Sequence, residues 1–230
     1  VNDRLKVIIF GATGMVGLSA LQECILDDRV REIVTIGRKH PEQQHIKLKS
    51  IELNDVTDLK RIEHELEGFD TCLFCLGVSS QGMKEDEYRR ITNDITLSVA
   101  GTLVRLNPQM TFLYVSGSGT DSSERGRSMW ARVKGKTEND LLQLPFKAAY
   151  MFRPGIILPS NGVRSKTKMY QLLYDVLRPF YPILRKLKSV VTSEQLGQAM
   201  IQVVSAGYPS PILESNEIKK ISMDNKELQH

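Results

Sequence analysis

The stretch "KVIIFGATGMVG", Lys6 to Gly17, decides how the rest of the chain is read. Its first half is a run of β-branched and aromatic residues of strand length. Its second half spaces Gly11, Gly14 and Gly17 three apart, and a helical pattern follows. In such a strand–loop–helix the first glycine turns the chain and the second lets the backbone approach a pyrophosphate. The third lets the helix pack close on the strand. Phosphates then sit at the positive end of the helix. Gly11, Thr13, Gly14, Met15, Val16 and Gly17 are the expected phosphate-binding segment.

Outward from that loop, short apolar runs alternate with amphipathic segments. Strands are expected at Leu5–Phe10, Glu32–Gly37, Ile46–Leu53, Asp70–Gly77, Met110–Gly117 and Ala148–Gly155. Helices are expected at Met15–Leu26, Leu59–Leu66, Lys84–Leu106 and Ser128–Leu142. Strict alternation specifies a parallel sheet covered on both faces, because each right-handed crossover needs a helix between neighbouring parallel strands. The chain therefore reads as α/β, a doubly wound parallel sheet of Rossmann type, over residues 1–158.

Residues 159–230 read as a small, mostly helical C-terminal extension packed on the same domain. The stretch from Lys166 to Lys188 is basic and aromatic, with Tyr170, Leu173, Tyr174, Leu177 and Phe180 at helical spacing. It suits an amphipathic helix on the domain, a lid, a homodimer contact or, less well because of Pro179 and Pro182, a membrane-surface helix. A second helix opens at Thr192, with Gln195 completing a capping box, and closes at Gly207. A short strand "PILES" and a helical turn over Asn216–Ile221 follow.

At 230 residues the chain buries enough surface to need no disulfides, and its three cysteines make no paired framework. Cys72 and Cys75 lie three apart in a strand and so point to opposite faces. No second Cys/His pair stands near them, so no metal or redox site is expected. The formal charge of +4 is spread along the chain and not gathered in a block, which argues against nucleic acid and suits a phosphate-bearing small ligand. The opening apolar run is too short for a signal peptide and no run reaches membrane length, so a cytoplasmic protein is expected.

Dinucleotide sites usually end the second strand in an acid that accepts from the adenosine ribose. Here "TIGRKH" puts Arg38 and Lys39 at that place. A guanidinium pairs with a 2′-phosphate and stacks on adenine, so NADP(H) is favoured over NAD(H). Asn54, Asp55 and Val56 fall where an adenine edge would lie. Leu76 and Gly77 fall against the ligand, at the carboxyl edge of the sheet.

"GATGMVG", "CLGVSS", "YVSGSGTD", "VKGKTENDLL" and "MFRPGIILP", in this order, resemble the short-chain dehydrogenase/reductase superfamily. They are closest to its extended and atypical branch of epimerase-like proteins, including the Tat-interacting-protein-like members. The resemblance implies that a serine after the fifth strand, Ser116 or Ser118, and a Tyr-x-x-x-Lys pair on the next helix carry the chemistry. It implies that Lys134 holds the nicotinamide ribose. It further implies that Pro154, Gly155 and Ile156 run along the carboxamide side and that Arg153 reaches a substrate or a phosphate.

The residue four before Lys134 is not tyrosine but Trp130, the only tryptophan in the chain. An indole N–H donates a hydrogen bond but exchanges no proton near neutral pH. Three readings follow. Trp130 lines the pocket while hydride passes to an acceptor that takes its proton from water, such as a quinone or flavin, with a serine or Lys134 assisting. Or Tyr88 or another phenol enters from elsewhere. Or the nucleotide is bound and not turned over. The sequence thus points to an NADP(H)-dependent oxidoreductase acting on a small quinone, flavin or carbonyl acceptor. The alternatives are a catalytically silent dinucleotide-binding sensor or scaffold and an epimerase- or dehydratase-like enzyme acting on nucleotide sugars.

Overall fold

The structure, a computed structural model, describes residues 4–160, 181–184 and 187–227. The chain runs β1 (Leu5–Phe10), α1 (Met15–Leu26), β2 (Val30–Gly37), β3 (Leu48–Glu52), a 3₁₀ segment (Leu59–Glu65), β4 (Thr71–Phe74) and α2 (Glu85–Arg89). A π-turn (Arg90–Asp94) leads into α3 (Ile95–Leu106), then β5 (Thr111–Val115), α4 (Met129–Leu142), β6 (Ala148–Arg153) and β7 (Ile156–Leu158). Next come a helical turn α5 (Tyr181–Leu184), β8 (Val190–Thr192), α6 (Ser193–Ala206), β9 (Ile212–Glu214) and α7 (Ser215–Glu227).

Seven strands form one parallel sheet in the order β3-β2-β1-β4-β5-β6-β9. The order reverses between β1 and β4, and this opens a crevice at the carboxyl ends of the strands. Strand periodicity divides the core. Val7 and Ile9 join Leu21, Cys24, Leu196 and Met200 on the face covered by α1, α6 and α7, while Ile8 and Phe10 join Val99, Leu103 and Leu141 under α3 and α4. On the second face a row of rings crosses the strands. Phe10 and Phe74 stand 5.5 Å apart between centroids, and Phe74 and Phe112 stand 5.9 Å apart. Cys72 lies in the second core and Cys75 packs against the first, as residues three apart on an extended chain must.

Several elements differ from their sequence-based expectation. The expected helix over Leu59–Leu66 is a 3₁₀ segment over Leu59–Glu65. The expected single helix over Lys84–Leu106 is interrupted by the π-turn at Arg90–Asp94. Val190–Thr192, running up to the helix expected to open at Thr192, is a strand paired in parallel with Ile156–Leu158. Ile212–Glu214 does not lie apart with the extension but completes the main sheet beside β6, and the final helix runs on well past Ile221. Most of the Lys166–Lys188 segment lies outside the described residues. The capping box at Thr192 is formed: Gln195 N–H donates to the threonine hydroxyl, and Thr192 N–H donates to the glutamine side chain.

Candidate dinucleotide site

The glycine loop closes by contact. Gly11 has a positive φ of 81°, and a Cβ there would stand 2.8 Å from the Cys75 carbonyl oxygen. A Cβ on Gly17 would fall inside the Gly11 carbonyl, so only glycine lets α1 start this close to β1. Gly14 N–H donates to the Gly11 carbonyl at 2.9 Å. Gly14 caps α1 without a side-chain hydrogen bond, and no acid stands in the first turn. Its leading amides, on Met15 and Val16 among others, keep their donors and partial positive charge for a ligand.

Two cavities open at the crevice. One, of about 410 Å³, is lined by Gly11, Thr13, Gly37, Arg38, Lys39 and Leu76 among others. The second, of about 450 Å³, is lined by Arg38, Asn54, Asp55, Val56, Leu76, Gly77 and, from the π-turn and α3, Ile91, Thr92 and Ile95. Arg38 and Leu76 border both. The structure thus gathers residues from the ends of four strands that sequence reasoning named separately. It adds Ile91, Thr92 and Ile95, which the helical pattern showed only as one more amphipathic face.

Arg38 and Lys39 are exposed, and among the described residues neither has an ion-pair or hydrogen-bond partner. The nearby acid Glu52 is held by His40, whose Nε2 lies 3.3 Å from its carboxylate. Asp55 is turned inward on its own loop, where its Oδ1 accepts from Thr57 N–H at 2.9 Å and from Thr57 Oγ at 2.7 Å. These bonds hold its carboxyl below the usual range. At the end of β2 itself, Arg38 and Lys39 stand where a ribose-binding acid would be.

The chemical end of the crevice differs more from expectation. Ser116, buried just past β5, donates its hydroxyl to Glu138 and not outward. Glu138, fully buried on α4, also accepts from Arg153 Nε at 3.0 Å and from Arg153 Nη2. Arg153 in turn reaches Ser122 and, at 3.5 Å, Glu214 on β9. Arg153, expected to meet a substrate or a phosphate, is instead engaged by a buried carboxylate on α4 in the structure.

Gly155 and Ile156 are tied in a similar way. Gly155 N–H donates to Ser215 Oγ at 2.7 Å and Ile156 N–H to the Ser189 carbonyl at 3.0 Å, so neither amide is free for a carboxamide. The Pro154 carbonyl accepts from Ser118 N–H at 2.9 Å. Ser118 itself is exposed.

Lys134 donates its ammonium to the Ser116 carbonyl and stands 6.0 Å from the Tyr114 ring centroid. Burial pulls its ammonium down to about 8, against the opposing attraction of Glu138 one turn on. Trp130 is half-buried outside both cores and lays the benzo edge of its indole against Gly119, 3.5 Å from where a Cβ would stand. The fit of α4 against this loop depends on Gly135, whose Cβ would overlap the Asp121 carbonyl. Nothing in the periodicity marks that position. Tyr88 and Tyr114 are both buried, and desolvation raises both phenols above their ordinary value. Neither of these two phenols is therefore presented to the crevice, while Tyr170 and Tyr174 lie outside the described residues.

No family model matches the chain. It is 27% identical to protein FMP52-2, mitochondrial, of Scheffersomyces stipitis, across 96% of this chain and 97% of that one. It is 27% identical to protein HTATIP2 of Rattus norvegicus, across 66% of this chain and 63% of that one. Among solved structures it superposes on YIR035C, a short-chain dehydrogenase/reductase of Saccharomyces cerevisiae, with a TM-score of 0.65 at 15% identity, covering 92% of this chain and 96% of that one. The Bordetella bronchiseptica enzyme WbmF, in complex with NAD+, gives 0.64 at 15% identity and covers 98% and 78%. The cytoplasmic expectation is overturned, because the FMP52 relatives from Scheffersomyces, Aspergillus and Meyerozyma are named as mitochondrial proteins. The likenesses to solved structures show the fold: a doubly wound Rossmann-type sheet of the kind found in the short-chain dehydrogenase/reductase of Saccharomyces cerevisiae and in WbmF.

Proposed function

We propose that the chain is an NADP(H)-dependent oxidoreductase that passes hydride to a small quinone, flavin or carbonyl acceptor. One observation supports the cofactor above the rest. Arg38 borders both cavities with a guanidinium that has no partner among the described residues, beside a glycine loop and a helix N-terminus without a side-chain cap. A phosphate on the adenosine ribose satisfies that charge, and NAD(H) leaves it unmet. The nucleotide supplies the hydride. The chain's own residues hold its phosphates at Gly11–Gly17, hold the adenine between Val56 and Gly77, and place the Lys134 ammonium near the ribose.

A catalytically silent dinucleotide sensor is the second reading, favoured by Trp130 in place of a phenol and by the Ser116 hydroxyl being turned to Glu138. Quenching of Trp130 fluorescence by NADPH, measured beside NADPH oxidation with a panel of quinones, flavins and carbonyls, separates the two. Quenching with turnover is expected. Quenching without turnover on any acceptor selects the sensor, and absence of binding contradicts both.

A further inference from the structure

A π-turn is rare and is found mostly as a single wide turn inside an α-helix. Here it spans Arg90–Asp94, and Ile95 N–H donates to the Arg90 carbonyl five residues back. Its extra residue rotates the chain before it by about 100° relative to α3. Ile91 and Thr92 come from inside the turn and Ile95 from its end. All three line the cavity of about 450 Å³, together with Asn54, Asp55 and Val56 from the far side of the sheet order.

Asn93 turns the other way and lines neither cavity. It is 4% exposed, and its amide nitrogen donates to Asp140 Oδ2 at 2.9 Å and to Thr137 Oγ1 at 3.4 Å, both on α4. Lys136 holds the receiving carboxylate in place, its Nζ 3.0 Å from each Asp140 oxygen. A buried amide deprived of that acceptor is left unsatisfied, so the bond fixes the direction in which Asn93 faces. Within the turn, Thr96 Oγ1 donates to the Thr92 carbonyl at 2.6 Å. A return to α-helical register would rotate the start of the turn about the helix axis and take Ile91 off its place in the cavity wall. Resting on the reading that this cavity takes the adenosine end of the nucleotide, we propose that the tie between Asn93 and Asp140 holds the π-turn open, and that the π-turn sets the wall against which the adenine lies. Asn93 and Asp140 are positioning residues, which act on the ligand through Ile91, Thr92 and Ile95.

A hydrogen bond to a charged group shifts an equilibrium by roughly ten- to a hundredfold, and the affinity of a ligand falls with the fraction of protein in its binding-competent form. Loss of the tie is therefore expected to weaken an adenosine ligand by about tenfold. The test measures calorimetric Kd values for adenosine 2′,5′-bisphosphate and adenosine 5′-diphosphate, which fill the adenosine end alone. It compares the natural chain with Asn93→Leu, Asp140→Ala, the two combined, and the exchanged pair Asn93→Asp with Asp140→Asn. Urea unfolding of each variant confirms that affinities are compared between folded chains. Each single substitution is expected to weaken both probes by about tenfold, and the combined variant to bind no more weakly than either single, because the two residues act as one unit. The exchanged pair, in which amide and carboxylate change places, is expected to return both probes to within about twofold of the natural chain. Single substitutions that lower stability but leave both Kd values within about twofold overturn the assignment, and so does an exchanged pair that folds without regaining affinity. Equal binding of the two probes by the natural chain, with the tenfold losses still present in the single variants, keeps the assignment and removes the preference for NADP(H). Binding of neither probe by the natural chain removes both.

Discussion

Glu138 and Arg153 show how a residue's role depends on what burial does to it. A fully buried carboxylate is tolerated only with its charge met, and here a guanidinium supplies two parallel donors while Ser116 supplies a third. Removing one partner strands the other. Glu138→Ala is expected to cost about 3–5 kcal/mol of stability in urea unfolding, and a loss under about 1 kcal/mol would show that the pair is not closed in solution. Ser116→Ala removes only one donor from a carboxylate that keeps its arginine, so about 1 kcal/mol and a modest change in turnover are expected. The resemblance put Ser116 and Arg153 in a reacting site. No pattern in the sequence announced that they bond to each other's partner, because that requires β5, α4 and β6 to meet.

At the level of elements, what was legible followed periodicity and glycine spacing. β1 and α1 have the bounds expected, since an unbroken apolar run ending in a glycine and a 3.6-residue pattern leave little freedom. Gly17→Ala is expected to destabilise by about 1–3 kcal/mol and to abolish NADPH binding, because the new methyl must push α1 off the loop. Retention of binding in a calorimetric titration would show that the loop yields. Thr192→Ala removes half of a capping box and is expected to cost about 1 kcal/mol in chemical denaturation. What stayed hidden were features made by long-range pairing. β8 is three residues long and stands as a strand only through Ile156–Leu158, and the π-turn at Arg90–Asp94 exists where Asn93 reaches Asp140 on α4, at 2.9 Å. Gly135 belongs with these, since its need for no side chain comes from a loop that meets α4 from outside.

Over the whole molecule, the reversal of strand order between β1 and β4 brings the ends of four strands to one crevice, and that is where Arg38, Asp55 and Leu76 meet. The candidate cofactor residues were legible one by one because each follows a strand end. Their union around two adjoining cavities is a property of the sheet. A ligand that bridges the cavities stabilises the fold by mass action, so NADPH at a hundred times its Kd is expected to add about 2.7 kcal/mol to unfolding stability. The central claim, that an unpaired guanidinium at the end of β2 selects the phosphorylated dinucleotide, is tested most directly by calorimetric Kd values for NADPH and NADH with the natural chain and with Arg38→Ala. The account predicts that the substitution weakens NADPH by roughly ten- to a hundredfold, the worth of a hydrogen bond to a charged group, and leaves NADH within about twofold. Equal weakening of the two nucleotides, or no preference for NADPH in the natural chain, would contradict it.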